Sequence, residues 1–104
     1  KNVVLKNNTV TGNFSNYSIY VECTDGVSFE GTNSLSNMGG GNGTNKAAIR
    51  VENSTSVLFD GLSISDNRQG LKAGIMVKND CNQVSYGTNL FSLPSGVPEV
   101  LQFN

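Results

Sequence analysis

Short runs in which apolar and polar residues alternate recur along the chain, and they fall into three sets. The first set starts at Val3, Val27, Val57 and Val84, and the second starts at Ile19, Ile49, Ile75 and Leu101. A third set consists of one apolar position that follows each start of the first set: Val10, Leu35, Ile64 and Phe91. Alternation with a period of two is typical of a strand with one buried face. The pattern therefore predicts three strands in every repeat.

Equivalent strands recur roughly every 26 residues, which is too far for two-residue hairpins. Stacking of like strands in the same direction, about 4.8 Å apart, explains this spacing. It predicts four interior ladders: Val3-Val27-Val57-Val84, Leu5-Phe29-Phe59-Tyr86, Ile19-Ile49-Ile75-Leu101 and Val21-Val51-Val77-Phe103. The predicted fold is all-β, a right-handed parallel β-helix of about four coils. The alternative is a compact β-sandwich with accidental self-similarity.

Residues 1–104 are predicted to form a single β-helix segment. The chain begins with lysine rather than methionine, which suggests a piece of a longer protein. The longest insertion, Asn37–Asn45, contains three consecutive glycines and is predicted to be a mobile surface loop. Each end of the solenoid is expected to expose unpaired strand edges, because no terminal cap is evident.

Composition excludes several classes of function. The chain has 7 basic and 8 acidic residues and no histidine. It therefore lacks the basic footprint of a nucleic-acid-binding protein, and catalysis or zinc binding through histidine is excluded. No apolar run is long enough for a membrane span, so we expect no membrane partner. Cys23 and Cys81 should lie about two strand spacings apart, too far for a disulfide, and are predicted to be free.

The repeated motifs resemble those of the pectate-lyase-like superfamily of parallel β-helices. The stretches that carry the resemblance are Asn2–Val10, Ser18–Val21, Gly26–Phe29, Ala48–Val51, Ser56–Phe59 and Gly74–Val77. In style the chain is most similar to phage tailspike proteins: its coils are poor in charge and rich in Asn, Gly, Ser and Thr. This resemblance implies a homotrimer on a virion tail or in another extracellular setting, which binds and often cleaves bacterial surface polysaccharide.

Outward-facing columns are where chemistry is expected. Glu22 and Glu52 should lie on adjacent strands. Most glycoside hydrolases use two carboxylates that flank the glycosidic bond. We take this pair as the candidate catalytic residues, with Tyr20 and Arg50 as the substrate-binding residues. Glycoside hydrolase and polysaccharide lyase are the enzyme classes considered.

Other readings of the outward charges remain open. Glu30 and Asp60 are the second choice for a catalytic pair, because they too should occupy adjacent strands. Alternatively, all these charges form ordinary cross-strand pairs that keep the solenoid soluble. The chain would then be a non-catalytic structural or adhesive segment, or a fragment of a secreted polysaccharide lyase or hydrolase. No cofactor is expected, and no metal site is predicted, because the scattered aspartates Asp25, Asp66 and Asp80 do not cluster by register.

Overall fold

The computed structural model describes residues 2–12, 16–37 and 46–104, and all regular structure in these ranges is β-strand. The strands are β1 (Val3–Lys6), β2 (Thr9–Gly12), β3 (Tyr17–Glu22), β4 (Asp25–Glu30), β5 (Asn33–Asn37), β6 (Lys46–Glu52), β7 (Thr55–Phe59), β8 (Leu62–Asp66), β9 (Leu71–Lys78), β10 (Asn82–Tyr86), β11 (Leu90–Ser92) and β12 (Val100–Phe103). The predicted loop after Asn37 falls on residues 38–45, outside the described residues.

The strands form three parallel sheets of four strands each. In the first sheet the order is β1-β4-β7-β10, in the second β2-β5-β8-β11, and in the third β3-β6-β9-β12. The chain visits the sheets in turn and so winds a parallel β-solenoid of about three turns. We call the strands at one level a rung, from rung 1 (β1, β2, β3) to rung 4 (β10, β11, β12). The predicted parallel β-solenoid is confirmed, while its right-handedness and its count of about four coils stay predictions.

The register of the first two sheets matches the predicted ladders. Val27 pairs with Val3 and Val57, and Phe29 pairs with Leu5 and Phe59. In the second sheet Leu35 pairs with Val10 and with Ile64. Like residues meet like because a parallel pair shifted by one residue would turn every apolar side chain toward solvent.

The interior is filled by these apolar columns. Phe29 and Phe59 are fully buried, with their ring centroids 5.4 Å apart, and the Tyr86 ring stacks on Phe59 at 5.5 Å. Offset-stacked aromatic pairs add about 0.5–1.5 kcal/mol beyond the area they bury. The aromatic column therefore stabilises the stacking of rungs 2, 3 and 4.

The predicted register of the last strand is wrong by one residue. Val100, not Leu101, pairs with Ile75, and Gln102, not Phe103, pairs with Val77. In the observed register, Leu101 pairs with Met76 and Phe103 with Lys78. The physical reason lies in two apolar clusters: Val100 packs on the main core, whereas Leu101 and Phe103 pack on a separate cluster outside it.

A buried ion pair closes the corner between the second and third sheets. Arg68 and Asp66 are each 1 % exposed, and Arg68 Nε and Nη2 donate to the two Asp66 carboxylate oxygens at 2.9 and 2.7 Å. Arg68 also donates to the carbonyl oxygens of Asn16, at 2.8 Å, and Ala47, at 3.1 Å. One side chain in rung 3 thus ties together the corners of rungs 1, 2 and 3.

Candidate functional site

The outer face of the third sheet gathers most of the residues selected from the sequence. In β6 the alternation of inward and outward side chains is interrupted, since the consecutive residues Ala48 and Ile49 both pack into the main core. Ala47 consequently faces outward, as do its register partners Tyr17 and Ala73. An outer cluster results, consisting of Tyr17, Ala47, Ala73, Met76, Leu101 and Phe103.

Arg50 lies at the centre of this face, between two aromatic rings. Its guanidinium carbon is 5.3 Å from the Tyr17 ring centroid and 4.6 Å from the Phe103 ring centroid. Arg50 Nε donates to Glu52 Oε2 at 2.5 Å, and Nη1 donates to the Tyr17 hydroxyl at 2.6 Å. The side chain is only 16 % exposed. Cation–π contacts strengthen when the cation is desolvated, so this arrangement holds the guanidinium in one position.

The predicted carboxylate pair lies on this face in the expected register. Glu22 pairs with Glu52 on neighbouring strands. Their environments differ, because the Glu22 residue is exposed whereas the Glu52 side chain is 13 % exposed. Besides Arg50, Glu52 has Lys78 Nζ 3.8 Å from its Oε1. Glu52 therefore lies beside two cationic side chains, whereas Glu22 faces solvent.

Tyr20 stands beside these charges and presents its ring to solvent. It is 48 % exposed, and its ring centroid lies 5.6 Å from that of Tyr17. Local desolvation, together with the carboxylates of Glu52 and Glu22, raises the pKa of the Tyr20 phenol. The hydroxyl therefore stays protonated at neutral pH, and its side-chain hydrogen bond is with Glu52.

The pKa of Arg50 reflects the same network. Desolvation alone would lower it, but the hydrogen bond to Glu52 and the interactions with Tyr17 outweigh this and raise the pKa overall. The guanidinium is thus a permanent cation held among aromatic rings. Two of its five N–H groups are used by Glu52 and Tyr17, and no other hydrogen bond of Arg50 occurs within residues 2–12, 16–37 and 46–104.

The second-choice carboxylates lie apart from this face, at the end of the first sheet. Glu30 accepts a hydrogen bond from the Ser28 hydroxyl at 2.8 Å, and Asp60 Oδ1 accepts one from the Thr88 backbone amide at 2.9 Å. Asp60 therefore satisfies the backbone of the next turn. Lys6 is the register partner of Glu30, but no salt bridge to either carboxylate occurs among the described residues, so this pair lacks the ion pairs that Glu52 makes.

Two of the three scattered aspartates, Asp66 and Asp80, have structural partners. Asp66 binds Arg68, and Asp80 Oδ1 accepts a hydrogen bond from the Asn53 amide at 2.8 Å. Among the residues that the structure describes, no three His, Cys, Asp or Glu side chains come together where they could hold a metal ion. Cys23 and Cys81 are free thiols. The same residues include no helix long and apolar enough to cross a membrane.

The sequence did not predict that Tyr17 and Phe103 contact Arg50 on the outer face, or that Lys78 pairs with Glu52. Strict alternation places Tyr17 on the interior side with Ile19, and only the interruption at Ala48 reveals that it turns outward. Phe103 was assigned to the interior because its hydrophobicity matches that of Val77. The two adjacent alanines, Ala47 and Ala48, were the one available signal, since they break the apolar alternation of β6.

Comparisons with known proteins found no match to this chain. No family model, no curated protein and no solved structure matches it.

Proposed function

We propose that this chain is a polysaccharide-binding segment of a β-solenoid protein, of the kind found in phage tailspikes, and that it binds glycan on the outer face of its third sheet. The observation that carries the proposal is the fixed guanidinium of Arg50, held between the Tyr17 and Phe103 rings and bonded to Glu52. A binding group that is already in place loses little conformational freedom when a ligand arrives.

The chemistry of this face fits a sugar polymer. Tyr20 offers an exposed aromatic ring face, and Tyr and Arg dominate the energetics of many binding surfaces. Glu22 adds an exposed acceptor, and Lys78 adds a half-buried ammonium group beside Glu52. Because the third sheet repeats along the solenoid axis, its face can meet successive units of an extended chain. A homotrimer on a virion tail or another extracellular assembly is the setting that belongs to this proposal.

Binding to bacterial surface polysaccharides, measured by calorimetry or by retention on a polysaccharide column, tests the proposal. We expect Tyr20→Ala to weaken the affinity at least about fivefold, which corresponds to the loss of 1 kcal/mol that marks an energetically important contact. Leu90→Ala is the control, because Leu90 is 67 % exposed but lies on the second sheet. Equal losses in both variants, or no binding to any polysaccharide by the parent chain, would leave a structural spacer as the better account.

Cleavage is the second candidate function, favoured by the register of Glu22 and Glu52. In that case the parent chain should release new reducing ends from the polysaccharide that it binds, and Glu22→Gln should abolish the release while keeping the affinity. Glu30→Gln serves as the control for the second-choice pair. Binding without release of reducing ends would mark the face as a recognition surface only.

A further inference from the structure

Glu52 lies in the middle of the third sheet and contacts side chains from three of its strands. Its strand, β6, is paired with β3 on one side and with β9 on the other. On the same strand, Arg50 Nε donates a hydrogen bond to Glu52 Oε2 at 2.5 Å. From β9, Lys78 Nζ lies 3.8 Å from Oε1, and from β3 the Tyr20 hydroxyl donates a hydrogen bond to the carboxylate. One carboxyl group therefore connects rungs 1, 2 and 3.

These contacts use both oxygens of a carboxyl group that is largely withdrawn from solvent. The Glu52 side chain is 13 % exposed, less than that of Arg50 at 16 % or that of Lys78 at 37 %. A charge withdrawn from water is costly unless opposite charges or hydrogen-bond donors compensate it. Here two cations and a hydroxyl do so. The carboxyl group is therefore committed to its neighbours within the sheet, and little of it remains for a ligand.

The phenol of Tyr20 responds to this carboxyl group in two ways. Local desolvation is the main cause of its raised pKa, and the charges of Glu52 and Glu22 raise it further. The hydrogen bond to Glu52 acts in the same direction, while the charge of Arg50 opposes it. A nearby negative charge disfavours the phenolate, and a hydrogen bond donated by the neutral phenol favours the protonated form. Glu52 thus keeps the Tyr20 hydroxyl protonated and directed at itself.

The position of Arg50 depends on Glu52 as well. Its guanidinium lies between the rings of Tyr17 and Phe103, which limit its movement. Two hydrogen bonds fix its rotation, one from Nε to Glu52 and one from Nη1 to the Tyr17 hydroxyl. The bond to Glu52 is also an ion pair between two poorly exposed side chains, so it is the stronger of the two.

From these contacts we infer that Glu52 is the positioning residue of the proposed glycan-binding face, where it holds its three partners in one arrangement and does not itself contact the glycan. This role rests on the proposed function and deepens it. Contact groups whose positions are already fixed lose less conformational freedom when a ligand binds. Glu22 and Glu52, which are register partners, then have different roles, since Glu22 is exposed whereas Glu52 is occupied within the sheet.

Four proteins test this role: the parent chain, Tyr20→Ala, Glu52→Gln and the double variant. An alkaline titration followed by the ultraviolet absorbance of the phenolate gives the Tyr20 signal as the difference between proteins with and without Tyr20. Glu52→Gln should shift the ionisation of Tyr20 to lower pH, because the carboxylate raises its pKa. Glu30→Gln removes an exposed carboxyl group on the first sheet and should leave the titration unchanged. An unshifted Tyr20 in Glu52→Gln would overturn the inference.

The second measurement is the affinity of the same four proteins for the polysaccharide that the parent chain binds. Glu52→Gln should weaken the affinity at least about fivefold, as Tyr20→Ala does. The double variant should then bind within about twofold of the weaker single variant, because losses that act through one shared group do not add. Losses that multiply would show that Glu52 contacts the glycan by itself, which contradicts the positioning role.

Circular dichroism checks that each variant is folded. Glu52→Asp keeps the charge on a shorter side chain and takes the place of Glu52→Gln if the latter does not fold, with effects expected in the same directions. A parent chain that binds no polysaccharide would remove the proposed function. The titration then decides alone whether Glu52 holds Tyr20 in place.

Discussion

At the scale of single residues, Arg68 shows most clearly what stabilises the corners. It is the largest of the fully buried side chains among the described residues, and its charge is met by Asp66 and by two backbone carbonyls. Removing one partner of a buried ion pair leaves an uncompensated charge, which typically costs about 3–5 kcal/mol.

Arg68→Met should therefore lower the free energy of unfolding by about 3–5 kcal/mol, as measured by equilibrium denaturation in urea. The double variant Asp66→Asn/Arg68→Met is the control. It should recover part of the loss, because no charge is then buried without a partner. A loss below about 1 kcal/mol in the single variant would mean that water reaches Asp66 and that the corner does not depend on the ion pair.

Residues of this kind could not be found from the sequence. The stretch from Asp66 to Arg68 looks like a polar loop, and neither alternation nor composition indicates that its charges are buried. The strand register alone was enough to predict that four residues share one outward face: Tyr20, Arg50, Glu22 and Glu52. The contacts made by Arg50 with Tyr17 and Phe103 depend on an interrupted alternation and a shifted strand, so they required the three-dimensional structure.

At the scale of elements, the turn between the first and second sheets depends on glycine. Gly31 and Gly61 both have positive φ, at 68° and 70°, and they stack on neighbouring rungs. A side chain at Gly61 would overlap the carbonyl oxygen of Gly31. Close approach of the two backbones at this turn is therefore a second requirement, in addition to the left-handed conformation.

Gly61→Ala and Gly96→Ala form a matched pair that separates these two requirements. Gly96 also has positive φ, at 84°, but a side chain there would meet no atom within 4 Å. Both variants should lose about 1–2 kcal/mol for the left-handed conformation. Gly61→Ala should lose about 1–3 kcal/mol more, since the rungs must move apart. Equal melting temperatures for the two variants would contradict the close approach at Gly61.

Strand register was predictable wherever columns of like apolar residues continued, and it failed where they did not. β10 and β11 kept the predicted register because Val84 and Phe91 continue columns of valine and of apolar residues. In β12 the run Val100-Leu101-Gln102-Phe103 offers two alternating patterns, shifted by one residue. The observed register is the one in which Leu101 pairs with Met76 and packs against it on the outer face of the third sheet.

At the scale of the whole molecule, the solenoid is held together by in-register parallel stacking of the rungs. All three sheets have the same interior chemistry, and the outward columns differ: serine and threonine line the second sheet, whereas aromatic and charged side chains crowd the third. The predicted solenoid followed from the apolar columns alone. Among the described residues, the buried Thr24 hydroxyl without a hydrogen-bond partner was visible only in the structure.

The most direct test of this stacking is disulfide cross-linking between rungs. Ser34 and Ser63 are register partners on the outer side of the second sheet, and Ser65 lies two residues farther along the same strand as Ser63. Under mild oxidation, Ser34→Cys/Ser63→Cys should form an intramolecular disulfide, because neighbouring parallel strands bring Cα atoms to about 5 Å. Ser34→Cys/Ser65→Cys should not, since its Cα atoms lie about 8 Å apart. Both pairs are made with Cys23 and Cys81 replaced by serine, and the cross-link is read by mass spectrometry of peptides. Selective bridging of the first pair is the result expected of the solenoid, and equal bridging of both pairs, or bridging of the second alone, would contradict its register.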